Sequence, residues 1–332
     1  MKLKTLIFLP VALVALTGCE LFAKKVDSQE ANKQVVEAMQ KATTEEHKAI
    51  QATISAELSA IDIEYLDSID QPKAKTETLL DFDASAKIKN MNTETVQMAG
   101  NLQGRFSSKL DDVEQSKLEG NVGLYYDAGW LYADYKITTK KTPTGPTVTE
   151  ENKVKANIGP LDFTQGTEIV PSDPKNTEQL EALLNGLDNI NARIIRGELH
   201  VTYELTQDDL IDAVTNLFIT TFSPNSEPTS EEYATIREGV AEGLNKSINI
   251  RTLKIDLVLN KEGLLGKIEA NLDLDTFSET KEYNETTLQQ EVVKRNKITI
   301  KGGFSLGMKY DGDVTFELPD FTSYTEAPLP TI

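Results

Sequence analysis

The run Leu118-Glu119-Gly120-Asn121-Val122-Gly123-Leu124-Tyr125-Tyr126, the tripeptide Asp127-Ala128-Gly129 and the run Trp130-Leu131-Tyr132-Ala133-Asp134-Tyr135-Lys136-Ile137 decide how this chain is read. Apolar residues recur at alternate positions, the period of a strand that turns successive side chains to opposite faces. The short insertion ends in glycine, which accepts the positive φ that a tight turn demands. The segment predicts an antiparallel hairpin with one buried face and one wet face.

The same period extends in both directions. Upstream it runs through Ile54, Ala56, Leu58 and Ala60, then shifts parity to Ile61, Ile63 and Tyr65, which predicts a bulge or bend. It continues through Leu80, Phe82, Ala84, Ala86 and Ile88, and through Val96, Met98, Gly100, Leu102, Gly104 and Phe106. Downstream, alternation returns at Ile194 to Leu205, at Ile248 to Leu259 with a turn to Leu264–Leu274, and at Ile298 to Leu306. Met308 to Tyr310, a turn at Asp311-Gly312-Asp313 and Val314 to Leu318 complete the expected strands. Between the halves, about 140–175, Pro143, Pro146, Pro160, Pro171 and Pro174 predict a long crossover loop.

Four segments carry helical spacing instead. Ser28 reads as the cap of an amphipathic helix over Glu30 to Ala49 with Val35, Met39 and Ala42 on one face, placing His47 on a solvated helix. A short helix follows Asn176. Asp208 to Phe222 is the most hydrophobic, and Ser230 reads as the cap of Glu231 to Lys246. The order of elements predicts a single α+β domain over 28–320, with 321–332 as a frayed tail.

Lys2 and Lys4, a short apolar run from Thr5 to Ala15, and Leu16-Thr17-Gly18-Cys19 resemble the signal peptide and lipobox of bacterial lipoproteins. That resemblance implies a signal peptide over 1–18, acylation (palmitate class) of Cys19, the only cysteine, and a tether over 19–27. It implies an extracytoplasmic protein held by lipid on the cytoplasmic membrane's outer face, or on the outer membrane of a diderm host. Two or three acyl chains anchor durably where one does not. A formal charge of −19 argues against nucleic acid as a partner, and 39% apolar residues argue for a folded chain.

The Tyr125-Tyr126-Asp127-Ala128-Gly129-Trp130-Leu131-Tyr132 and Leu259-Asn260-Lys261-Glu262-Gly263-Leu264 hairpins, the helix after a short tether, and Leu318-Pro319 near the end resemble the LolA/LolB and LprG/LppX-like lipoprotein carriers. The resemblance implies a half-barrel, a single large, strongly curved antiparallel sheet with helices packed on its concave face. A groove between sheet and helix suits acyl chains, since apolar burial needs no directional chemistry. Leu210, Val214, Leu217 and Phe218 are the candidate groove residues; the bland reading makes them a dry core.

Catalytic signatures are lacking. His47 and His200 are far apart in sequence, no nucleophile elbow or phosphate-binding loop occurs, and neither Asp273-Leu274-Asp275 nor Asp311-Gly312-Asp313 matches a calcium loop. The expectation is a non-enzymatic lipid-binding lipoprotein with no cofactor and no metal site. The competing expectation is a surface scaffold or adhesin-like protein with a closed core, acting through protein contacts such as an aromatic patch around Trp130.

Overall fold

The computed structural model describes residues 23–327 apart from 45–46, 66–71, 92, 94, 142–143, 161–179, 182, 223–228 and 285–288. The expected signal peptide and Cys19 lie outside the described residues, as does the expected crossover at 142–143 and from 161 onward.

Among the described residues thirteen strands form one open sheet. In chain order they are β1 (Lys24–Lys25), β2 (Ala49–Tyr65), β3 (Pro72–Lys89), β4 (Gln97–Leu110), β5 (Val113–Asp127), β6 (Trp130–Lys141) and β7 (Thr147–Asn157). Then come β8 (Ile190–Ile195), β9 (Glu198–Glu204), β10 (Ile248–Leu259), β11 (Leu265–Asn284), β12 (Gln289–Tyr310) and β13 (Thr325–Glu326). Their spatial order is β1-β8-β9-β10-β11-β12-β2-β3-β4-β5-β6-β7-β13. Each half is an up-and-down meander, and β12 joins them by pairing with β2 from Arg295↔Tyr65 to Tyr310↔Ile50. Every pairing is antiparallel except the two-residue contact of β13 with β7. Both edges carry a two-residue strand, β1 on β8 and β13 on β7, which partly covers backbone groups that would otherwise invite another chain.

Among the described residues three long helices accompany the sheet, α1 (Ser28–Thr44), α2 (Gln207–Phe222) and α3 (Ser230–Ser247), and residues 180–181 and 183–185 are helical where a short helix is expected after Asn176. Asp27, not Ser28, caps α1, its Oδ1 accepting from the amides of Gln29 and Glu30 at 3.0 and 3.4 Å. Thr206 and Asp209 cap α2 reciprocally, and Thr229, not Ser230, forms the capping box with Glu232 on α3. The main core lies under α1. Ala31, Val35 and Ala38 pack on Leu199, Val201 and Tyr203 of β9, Leu257 and Leu259 of β10, and Leu265 of β11. Inside it, Asn32 Oδ1 accepts from the Tyr203 hydroxyl at 2.9 Å, and Asn32 Nδ2 donates to Asn185 Oδ1 at 2.8 Å. α2 packs against α3, which lies on β10 and β11.

Several expectations are corrected. β2 pairs without interruption from Ala49↔Lys89 to Glu64↔Ala74, so its parity shift is no bulge; apolar side chains simply change faces along one regular strand. α1 stops before His47, and β2 begins at Ala49. The expected loop contains β7, whose sequence Thr147-Val148-Thr149-Glu150-Glu151-Asn152 has too few apolar residues to show a period. Ile194 to Leu205 is no single strand but the β8–β9 hairpin, turning at Arg196 and Gly197, both at positive φ. Val314 to Leu318 is not a strand, and the expected frayed tail is docked as far as Ala327, whose amide donates to Lys155 O at 2.9 Å.

Candidate functional site: a bare apolar sheet face

Residues directly opposite each other in neighbouring strands share a face. The register therefore assembles apolar rows running across the sheet. Leu306, Ile54, Ala84, Leu102, Val122 and Tyr135 form one row from β12 to β6. Leu58, Leu80, Phe106, Leu118 and Thr139 form a second. Between them runs Phe304, Ala56, Phe82, Gly104, Gly120 and Ile137. At the β8–β11 end the same face is closed by α1. Across β12 and β2–β7 no described element closes it: Leu102 is 46% exposed, Leu118 43%, Phe304 38% and Leu80 37%.

Six strands at about 4.8 Å spacing span roughly 24 Å, and Leu118 to Leu124 adds roughly 20 Å along the strand. The band is thus of the order of 480 Å², within the range for the largest apolar patch of an ordinary monomer. Unlike scattered exposed leucines, it is continuous.

The opposite face is polar. Glu57, Asp81, Arg105, Glu119 and Thr138 stand in one row, Ser55, Asp83, Gln103, Asn121, Lys136 and Glu151 in the next. Hollows of 470, 340 and 310 Å³ are lined by these residues and their strand neighbours, the first also by the backbone of Gly104 and Gly120, and one of 720 Å³ lies at the β10–β12 ends near Lys261 and Asp311. Arg105 reaches Asp81 at 3.2 Å and Lys136 reaches Glu151 at 3.2 Å, exposed pairs of small energetic worth.

The C-terminal segment straps this polar face. Lys87 and Lys89 donate to the carbonyls of Thr315 and Phe316 at 3.2 and 3.3 Å. Phe321 stacks on Tyr132 with centroids 3.6 Å apart, and the Tyr324 hydroxyl donates to Asp134 Oδ2 at 3.0 Å. Burial and the Asp134 carboxylate push the Tyr324 phenol far above the usual tyrosine range. The expected aromatic patch therefore divides: Tyr125 and Tyr132 lie under the strap, Tyr135 is on the apolar face, and Tyr126 is buried with its hydroxyl on Gly159 O.

Of the candidate groove residues, Leu210 and Val214 are half-buried and Phe218 is 47% exposed. The Leu217 side chain and Cys19 lie outside what is described. α2 buries Ile211 and Thr215 instead, and Arg237 of α3 binds Asp212 and Asp208. Leu210, Val214 and Phe218 line none of the four hollows above, because α2 leans on α3 and does not roof the sheet.

The acidic pairs are occupied by protein groups. Asp273 binds Arg251 and Lys301; Asp275, buried, accepts from Arg251 at 2.5 Å, Lys297 at 3.2 Å and Thr299 at 2.6 Å. Burial would raise the Asp275 carboxyl, but Thr299, Arg251 and Lys297 outweigh it and hold it below the usual range. Asp311 Oδ2 meets His47 Nδ1 at 3.1 Å while Oδ1 accepts from the Lys48 and Ala49 amides. His47 is consequently buried against Tyr310, which corrects its placement on a solvated helix. His200 is partly exposed beside Glu198, as its alternation implied.

No family model matches the chain, and no curated protein does. Among solved structures, it aligns with the translocator domain of autotransporter NalP from Neisseria meningitidis at 10% identity and a TM-score of 0.18, covering 83% of this chain and 94% of that one. The transport unit of autotransporter AIDA-I from Escherichia coli gives 10% and 0.19, over 85% and 98%. A β-barrel-like protein of a domain of unknown function from Brucella abortus gives 10% and 0.16, over 80% and 100%. At such scores these likenesses carry no argument.

Proposed function

We propose that the chain is an extracytoplasmic lipoprotein, anchored through Cys19, that holds a lipid or lipid-linked molecule on the bare apolar face of its sheet. The observation that carries this reading is the uninterrupted apolar band from Phe304 to Ile137, with Leu102 and Leu118 nearly half exposed and no described element over them. In this reading the sheet curves as in a half-barrel, and the ligand takes the place that α1 takes over β8–β11. Transfer follows naturally, because an apolar ligand on an open face leaves without a lid having to unfold. The scaffold reading loses its intended support, since Tyr125 and Tyr132 are covered by the chain's own Phe321.

The test is native mass spectrometry with lipid extraction on protein purified from its host's membranes. A stoichiometric hydrophobic adduct is expected beyond the anchor mass. Leu102→Glu should abolish it while leaving the thermal midpoint within a few degrees, because the side chain is already half exposed. An adduct-free wild type, or an adduct indifferent to Leu102→Glu, sinks the proposal.

A further inference from the structure

Glycine inside a strand weakens it and commonly marks a close approach by backbone or ligand. Gly302 and Gly123 have such a reason within the chain: a Cβ on Gly302 would collide with the Glu57 carbonyl oxygen, and one on Gly123 with the Asp134 carboxylate. Gly104 and Gly120 do not. A Cβ on Gly104 would meet Phe82 Cβ at 3.4 Å, and one on Gly120 would meet Ile137 Cγ1 at 3.6 Å, both ordinary contacts. Neither glycine takes a positive φ. They are direct cross-strand partners, so their missing side chains leave one shared notch on the apolar face.

The notch is bounded at its ends by Phe82 and Ile137. Its walls are Phe106 and Leu118 on one side and Leu102 and Val122 on the other. From β3 to β6 it runs roughly 14 Å across the strands. No charged side chain stands in this row or the two flanking rows between β12 and β6, so the occupant must be uncharged along this length. The floor strands spend their amides and carbonyls on each other, so a peptide laid across them would bury its own polar backbone unpaired. An alkyl chain has no such groups. The geometry points to the Gly104–Gly120 notch as the seat of one unbranched acyl chain lying perpendicular to the strands, an inference that rests on the lipid-binding reading above.

The test compares the mature wild type with Gly104→Val/Gly120→Val, using a fluorescent sixteen-carbon fatty acid as probe and light scattering for mass. Each methylene displaced from apolar contact costs about fourfold in affinity, so losing two or three weakens binding roughly 15- to 60-fold. That loss, with an unchanged or higher thermal midpoint as valine favours strands, is the expected result. Equal binding by both proteins overturns the notch and leaves the lipid reading standing. No binding by the wild type removes both. A wild-type dimer that the double variant dissolves assigns the notch to a second copy and also overturns the inference. Should the double variant not fold, Gly120→Ala, which fills the notch by one methyl at an ordinary contact distance, reads the same question.

Discussion

The hydrogen bond between Asn32 of α1 and Tyr203 of β9 is a polar contact inside a largely apolar core, which makes its worth measurable. Asn32 is wholly buried, and Tyr203 is nearly so. Burial pushes the Tyr203 phenol up to about 12, so it remains a neutral donor to Asn32 Oδ1 at any physiological pH. Tyr203→Phe leaves that oxygen without its donor, and Asn32→Leu leaves the hydroxyl without its acceptor; each should cost about 1–3 kcal/mol. Replacing both removes the Asn32–Tyr203 orphan, and the loss of the Asn32 donor to Asn185 Oδ1 is common to Asn32→Leu and the double variant and cancels in the cycle, so the double variant should cost less than the sum by about 1–3 kcal/mol. At about 2–4 °C per kcal/mol each single variant lowers the midpoint by roughly 2–12 °C. Urea unfolding followed by circular dichroism, and by Trp130 fluorescence from the far half of the sheet, provides the cycle. If the double variant costs the full sum of the singles, the contact is not a coupled pair and this account of it is wrong.

Asp275→Asn should destabilise the protein at neutral pH, with the deficit shrinking on acidification. The folded Asp275 carboxyl titrates below its unfolded value, so its contribution is present above about pH 4 and disappears as pH falls through the folded pKa; a deficit independent of pH would contradict this. Tyr324→Phe should cost about 1–3 kcal/mol by leaving Asp134 short of a donor, and should remove the highest-pH step from an ultraviolet tyrosine titration. An unchanged titration would mean the strap is not docked. Cys19→Ala should move the protein from the membrane to the soluble fraction, and continued membrane retention after processing would refute the anchor. Stripping bound lipid should lower stability by about 2.7 kcal/mol if the ligand had been present at a hundredfold its Kd, read as a lower midpoint that recovers when the lipid is restored.

Strands whose apolar residues alternate against polar ones were legible, because a period of two survives without any knowledge of partners. β7 was not, since an edge strand of Thr, Glu and Asn leaves no pattern. The break at Arg196-Gly197 carries a signal that reading Ile194 to Leu205 as one strand passes over, since the apolar parity shifts from Ile194 to Leu199 across a glycine. His47 and Asp311 are 264 positions apart, and nothing local announces their contact. The docked strap was missed for a related reason: its prolines signal irregular chain, whereas Phe321 and Tyr324 find their partners only once β5 and β6 are side by side. The apolar rows could be listed from sequence, but which rows stay bare depends on where the helices come to rest.

Simple lengths show why the described helices leave some of that face uncovered. Thirteen strands at about 4.8 Å make a sheet roughly 58 Å wide, whereas α1, with 17 residues at about 1.5 Å each, reaches roughly 26 Å. One helix of that size covers the strands from β8 to β11 and no more. α2 and α3 do not extend the cover, since they pair through Arg237, Asp208 and Asp212, and α3 buries none of its side chains. An unfilled apolar face of this extent would ordinarily be removed by shortening the strands or making their inward residues polar. The chain instead places Leu80, Leu102, Phe106 and Leu118 on it and interrupts them with Gly104 and Gly120, a pairing that smooths the floor at the cost of strand stability. In the reading proposed above, the leucines and phenylalanines supply the apolar contact and the two glycines supply the room that a ligand on this face requires.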